Sequence, residues 1–348
     1  MIIQNGDVSF LEVDVIVPFH RFDSFLIESI SSLKATQGVN VRIIAVNDSG
    51  IFLEKTEIGL RSQDILVKSS GSGYIKALAT GVETSTANYI AFQDSDDFSD
   101  SYRLKYQLED LLSNSFDLVT GRLVRTNMAG QIATVTSPFG NLSKLLTPRE
   151  RLIFGPHGAD SSILVKANIL KSTWSAHAHF SPSFADYGWL LSLGPSLSLG
   201  HSPNAIYYYR AHNSQMSRKA KDMSEWADVA GLWVENISQL KWALNTEEKN
   251  LLIEMRSNPN ISLAIAFPAS LVRLTKKEKQ KFYKIIILIQ KMTQKECRHE
   301  NILIQEALFR RGFIVSRGGK IRYWGAGMRM LITIAAGYFY GIKPRIGK

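Results

Sequence analysis

Three aspartates fall within four positions, Asp94-Ser95-Asp96-Asp97, directly after the apolar run Tyr89-Ile-Ala-Phe-Gln93. Carboxylates this close repel one another unless a cation sits between them. Hard divalent ions such as Mg²⁺ or Mn²⁺ favour oxygen ligands and leave positions for phosphate oxygens. A reaction in which negative charge grows on a diphosphate leaving group would use such a cluster. The plainer alternative is a solvated acidic turn in which Ser99 or Asp100 caps the next helix.

Other residues carry chemistry at a distance from that run. Asp48 sits in Val46-Asn-Asp-Ser49, His20 follows Val17-Pro18-Phe19, and Asp186 lies in Phe184-Ala-Asp-Tyr-Gly188. His212 closes Ile206-Tyr-Tyr-Tyr-Arg-Ala-His212, and His157 lies in Gly155-Pro-His-Gly158. Each has a structural reading beside the functional one. Asp48 suits a turn after a strand. Asp186 suits the cap of a helix over 187–193. Either histidine can be an ordinary core or loop residue.

The elements that position these residues follow from periodicity. A buried strand is predicted over 13–18, stopped by Pro18, then a helix over 23–35 with Phe25, Leu26, Ile30 and Leu33 on one face. Further strands are predicted over 41–46, 64–68 and 88–93, with a Gly/Ser turn over 69–73 leading into a helix that ends near Gly81. A helix over 102–112, a hairpin over 118–136, a helix over 149–154 and strands over 162–165 and 205–209 complete the reading. Alternation of this kind argues for a mainly parallel sheet with helices on both faces. Ligands in such sheets bind beyond the carboxyl ends of the strands. His20 and Arg21, then Asn47, Asp48 and Ser49, then Asp94 to Asp97 therefore converge on one crevice.

These motifs resemble glycosyltransferase family 2, the inverting nucleotide-sugar enzymes of the GT-A fold. Val17-Pro-Phe-His20 is similar to the family's opening strand, Val46-Asn-Asp-Ser49 to its second, and Tyr89 to Asp97 to its aspartate-x-aspartate strand. Phe184 to Leu191 falls where the family has a Glu-Asp pair opening a helix, and Ile206 to Ser217 resembles its closing Tyr-Arg-x-His strand. The likeness covers about 13–217, in order. It implies an α/β fold of GT-A (Rossmann-like) type and an enzyme that moves a sugar, by default from a UDP-sugar, to a hydroxyl of a glycan or lipid-linked acceptor in surface polysaccharide synthesis. Carried over by position, Asp48 would hold the base with Pro18, Phe19 and His20 around it. Asp94 and Ser95 would lie near the ribose and donor. Asp96 would bind Mn²⁺ or Mg²⁺, with His212 adding a metal or diphosphate contact, and Asp186 would be the catalytic base. The family's Ala-Arg-Asn is here Ala77-Leu-Ala79, so Lys76 becomes the candidate phosphate contact; Ala185 replaces the Glu of the Glu-Asp pair, and His20 replaces an asparagine. These departures bear on donor specificity.

Bulk properties set the limits. The chain has 348 residues, 45% hydrophobic and 21% charged, which suits a globular protein with a sizeable core. Its single cysteine, Cys297, excludes an intramolecular disulfide. The first residues do not read as a signal peptide, and no apolar run reaches the roughly 18–20 residues of a membrane span. A cytoplasmic location is expected, with peripheral contact on the inner face of the plasma membrane. From 217 to 348 there are 24 Lys+Arg against 11 Asp+Glu, a net +13 within an overall +10. A boundary near 217 is therefore predicted, with 1–217 catalytic and 218–348 a basic, helical extension. Arg317 to Lys348 mixes basic and apolar residues in a way that suits a helix at a bilayer surface, a solvated helix packed on the core, or a dimer contact.

Three rival functions are weaker. Nucleotidyl transfer would call for a glycine-rich phosphate loop after the first strand, where Pro18-Phe-His-Arg-Phe22 has no glycine. Nucleic-acid binding would explain the basic third but not three carboxylates at a strand end, which repel a phosphate backbone. A fold that binds nucleotide-sugar without turning it over accounts for the motifs but gives Asp186 no task.

Overall fold

The computed structural model describes residues 8–134, 162–175, 185–193 and 197–212, and beyond them 229, 231–232, 234–236, 244–258, 274–293, 313–315 and 321–323. The chain divides into two compact units, Met1–Pro138 with Gly155–Ala220, and Phe139–Phe154 with Lys221–Lys348.

The first unit is built on a nine-stranded sheet flanked by helices. In chain order its elements are β1 (Glu12–Phe19), α1 (Ser24–Lys34), β2 (Asn40–Asn47), β3 (Ile65–Lys68), α2 (Tyr74–Thr84) and β4 (Tyr89–Phe92). Then come β5 (Phe98–Ser99), α3 (Arg103–Ser113), β6 (Leu118–Thr126), β7 (Ile132–Thr134), β8 (Ile163–Lys166), α4 (Ala167–Thr173), α5 (Ala185–Ser192) and β9 (Leu199–Arg210). The spatial order is β3-β2-β1-β4-β8-β6-β9-β5, with β7 paired to β6. Strands β3, β2, β1 and β4 are parallel, β8 runs antiparallel to both of its neighbours, and β6 and β9 run parallel. The predicted α/β fold with a mainly parallel sheet is the observed one.

Alternation along β1 decides which helix covers which face. Val13, Val15, Val17 and Phe19 join a core with Leu26, Ile30 and Leu33 of α1 and Leu104, Leu108 and Leu111 of α3. Ile16 points to the other face, where α2 lies so close that a Cβ on Gly81 would stand 2.4 Å from Ile16 Cγ2. Gly81 therefore does not end α2, as its sequence position suggests. It sits inside a helix that runs on to Thr84, because the strand beneath leaves no room for a side chain.

Pro18 also behaves differently from expectation. β1 continues through it to Phe19, with Pro18 opposite Val46 of β2. In a parallel strand, successive residues direct their backbone groups to alternate neighbours. Phe19 O accepts from Asp48 N on the β2 side, and Ile16 O accepts from Gln93 N on the β4 side. Pro18 thus faces the β4 side, where that strand has already ended opposite Ile16. Its missing N–H costs no ladder bond.

In the second unit, α6 (Thr246–Ser257) opens with a capping box between Asn245 and Glu248, and α7 spans Lys276–Thr293. Ion pairs at 2.8 Å join Glu254 to Lys281 and Glu247 to Lys284, so two lysines of the basic stretch serve helix pairing. An antiparallel pair, β10 (Phe313–Val315) and β11 (Ile321–Tyr323), adds strands to a region read as helical. The remainder of 317–348 and the predicted helix over 149–154 lie outside the described residues. Among the described residues, no helix is long and apolar enough to cross a membrane.

Candidate active site

The carboxyl ends of β1, β2 and β4 form one edge, and the strand order turns there: β2 and β3 lie to one side of β1, and β4 to the other. Such a switch point opens a crevice above the sheet. Asp48 stands at the end of β2. Its amide donates to Phe19 O at 2.8 Å, and its Oδ2 accepts from Gly73 N at 2.8 Å. Gly73 has φ +101° and precedes α2 without a side-chain cap; a residue with a Cβ would be strained there. The Asp48 carboxylate thus lies beside a helix N-terminus, where negative charge is favoured. Asn47 shapes the turn behind it, donating to Ile51 O and accepting from Ser49 N. Pro18 and Phe19 are buried, while His20 and Lys76 are exposed, Lys76 in the first turn of α2.

Beyond β4 the chain turns through Asp94, Ser95, Asp96 and Asp97, closed by Asp97 N donating to Asp94 O at 3.2 Å. One carboxylate oxygen from each of the three aspartates lies within 4.8 Å of the others. Asp94, Ser95 and Asp96 are half-buried, and Asp97 is 1% exposed. None of the three caps α3, and neither Ser99 nor Asp100 does: the N-cap is Tyr102, without a side-chain cap bond, and Asp100 shapes the turn ahead of it by accepting from Tyr102 N at 2.9 Å. Strand β9 holds the turn from below. Asp97 Oδ2 accepts from the Tyr207 hydroxyl and its Oδ1 from Arg210 N, both at 2.8 Å. Just past β9, His212 Nε2 approaches Asp96 Oδ2 at 2.7 Å.

Two buried arginines frame this turn. Arg210 donates to Asp96 O at 2.9 Å, to Met128 O at 2.6 Å and to Glu28 Oε2 at 2.6 Å, between the rings of Phe25 and Phe98. Arg103 donates to Phe92 O, Gln93 Oε1, Ser99 Oγ and Gln107 Oε1, and so fixes the end of β4. Burial brings the Arg103 pKa down to about 10, against the opposing pull of Tyr207, Asp94 and Asp97; it remains a cation at neutral pH. Burial, then the charges of Asp94 and Asp96, push Asp97 well above the usual carboxylate range, although Arg210 N and the Tyr207 hydroxyl bond to it.

The structure therefore brings Asp94, Asp96 and His212 together and puts Asp48 at the end of β2, on the other side of β1. Asp186 is the second residue of α5, inside the helix rather than at its cap; its side chain and all of His157 lie outside the described residues. Helix α5 is anchored by the buried Trp189, whose indole N–H donates to Thr173 Oγ1 at 3.0 Å. Arg103, Glu28 and Tyr207 had no individual role in the sequence reading. Tyr207 and Arg210 stand inside the recognised Tyr-Arg-x-His stretch, but nothing in one sequence tells that they reach Asp97. A cavity of about 500 Å³ lies at the opposite ends of β1 and β2, bordered by Glu12, Asn40, Arg42 and Arg61. Its two arginines are already paired, with Asp14 and Asp64.

The donor set fits a hard divalent cation. It offers carboxylate oxygens and an imidazole, with the acidic side chains of Asp94 and Asp96 reaching solvent.

Residues 14–172 match the family described as Glycosyl transferase family 2. A curated protein of Bacillus subtilis (strain 168), "Uncharacterized glycosyltransferase EpsJ", is 30% identical over 115 residues, which is 31% of this chain and 32% of that protein. The matched stretch thus spans about a third of that relative's length. Among solved structures, S. aureus TarS 1-349 in complex with UDP-GlcNAc is similar with TM-score 0.51 at 16% identity, over 90% of this chain and 97% of that one. The same protein in complex with UDP gives 0.51 at 15% identity, over 90% and 96%. At these identities the likeness is one of fold.

Proposed function

Because residues 14–172 match the family described as Glycosyl transferase family 2, we propose that the chain transfers a sugar from a nucleoside diphosphate sugar to an acceptor hydroxyl with inversion at the anomeric carbon. The donor is a UDP-sugar, and the acceptor a glycan or lipid-linked glycan of a surface polysaccharide. The observation that carries this reading is the pairing of His212 with Asp96 beside Asp94, with Asp48 at the strand end across β1.

Asp48 accepts from the base, over a floor made by Pro18 and Phe19 and beside His20. Asp94 and Ser95 face the ribose. Asp96 and His212 would hold Mn²⁺ or Mg²⁺, which when bound neutralises the charge growing on the leaving diphosphate. Lys76, exposed at the start of α2, adds a phosphate contact. Asp186 removes the proton of the attacking hydroxyl, on the side opposite the leaving group, so one displacement suffices. The assignment of Asp186 rests on its sequence motif and on its place in the first turn of α5. Residues 1–217 form the catalytic domain. The basic 218–348 extension contacts an anionic membrane surface, which suits a protein acting from the cytoplasmic side. The structural likeness to a protein crystallised with UDP-GlcNAc and with UDP supports the donor class.

The test is a donor screen with acceptor glycans, followed by Asp186→Asn. The proposal expects one UDP-sugar to be turned over. It also expects the variant to lose about 10²–10⁴-fold in kcat, with UDP affinity retained. A variant that turns over like the wild type removes Asp186 from the chemistry. A wild type that binds UDP-sugars but transfers none to any acceptor favours a binding protein.

A further inference from the structure

We propose that Tyr207 is the positioning residue of the metal site, and that Asp97 serves as an internal anchor rather than a ligand; this rests on the functional reading above. One phenolic oxygen ties both ends of the acidic turn. It accepts from Asp94 N at 3.1 Å and donates to Asp97 Oδ2 at 2.8 Å. Arg210 N takes the other oxygen of Asp97 at 2.8 Å. Both oxygens of Asp97 therefore face β9, and the residue is 1% exposed. The half-buried Asp94 and Asp96 remain to meet a cation.

Tyr207 is itself fixed. It is fully buried in β9, opposite Leu123 of β6, and the Arg103 guanidinium lies 5.0 Å from its ring centroid. The same guanidinium holds Phe92 O at 2.9 Å, so one cation steadies the strand entering the turn and the ring beneath it. A hydroxyl set in this way allows the turn little freedom to open, and ligand carboxylates held in place bind metal more tightly than ones that must be ordered first.

The test is Mn²⁺ binding to the full chain without nucleotide, followed by the paramagnetic resonance signal of free Mn²⁺. It is run on the wild type, Tyr207→Phe and the control Tyr208→Phe. Tyr207→Phe keeps the ring and removes only the hydroxyl. It is expected to weaken Mn²⁺ binding by about 10–100-fold, the range for groups that orient metal ligands. Metal-free UDP binding should fall far less than Mn²⁺ binding does, and Tyr208→Phe should bind Mn²⁺ as the wild type does. Wild-type affinity in Tyr207→Phe, or a lowered melting temperature with Mn²⁺ affinity intact, overturns the positioning role and leaves the metal site standing. A wild type that takes up no Mn²⁺ removes the metal site and this inference with it.

Discussion

His212 Nε2 stands 2.7 Å from Asp96 Oδ2, joining the end of β9 to the middle of the acidic turn across 116 positions of sequence. The imidazole is 8% exposed, against 33% for the carboxylate, and its ring stacks on Phe25 at 5.9 Å. A histidine held this way either donates to the carboxylate or, as the neutral ring, joins it in binding a cation. His212→Gln should keep a hydrogen-bond partner for Asp96 and lose the imidazole. We expect Mn²⁺ affinity to fall about 10-fold or more, measured by calorimetry, with the melting temperature nearly unchanged. Equal Mn²⁺ affinity in the variant would assign His212 to structure alone.

A second prediction concerns the opposite end of β1. Asp14 is fully buried and forms two bonds at 2.8 Å with Arg42, and it accepts from Ser85 Oγ, Thr86 N and Ala87 N. Burial raises its pKa, but the bonds from Arg42, Ser85 and Ala87 outweigh that and hold it below the ordinary value of 3.8. A lowered folded pKa gives stability that is present above the unfolded value and lost as pH falls through the folded one. Asp14→Asn should therefore destabilise the protein by about 3 kcal/mol at neutral pH, and the gap to wild type should narrow below about pH 4. Chemical denaturation at several pH values measures both. A constant gap across that range would contradict the linkage.

Gly81 gives a third. A methyl group there would meet Ile16 Cγ2 at 2.4 Å and Cγ1 at 3.2 Å, between two buried elements. Helix propensity alone favours alanine by about 1 kcal/mol, whereas overpacking costs about 1–3 kcal/mol. Gly81→Ala should be net destabilising, and Gly81→Ala combined with Ile16→Val should recover part of the loss. Thermal unfolding of the two variants decides it; a stabilised single variant would mean that α2 moves away freely.

Much of this arrangement was legible in the sequence, for physical reasons that also set the limits. The first four strands and first three helices carry strong periodicity, so β1 to β4 and α1 to α3 fall within a few residues of expectation. The helical pattern begins at Asp23, which is the N-cap of α1 and accepts from Phe25 N and Leu26 N. What one sequence hides is pairing between distant segments. Nothing in the sequence singles out Arg103, yet it is buried under the site, where Phe92 O, Gln93, Ser99 and Gln107 all face it. Glu28 is equally unmarked, and its carboxylate accepts from Arg210 at 2.6 Å. Local rules make Pro18 and Gly81 punctuation; their neighbours in space decide otherwise.

The central claim is that Asp48 and the acidic turn form one nucleotide-diphosphate site that works with a divalent cation. Calorimetry of UDP binding, with and without Mn²⁺, on wild type, Asp48→Ala and Asp96→Ala tests it most directly. The account predicts that Mn²⁺ tightens UDP binding to the wild type and that Asp96→Ala removes this enhancement. It predicts that Asp48→Ala weakens binding about 10-fold or more with or without metal, the loss of a charge-assisted hydrogen bond. UDP binding that ignores Mn²⁺ in the wild type, or an enhancement that survives Asp96→Ala, would contradict it.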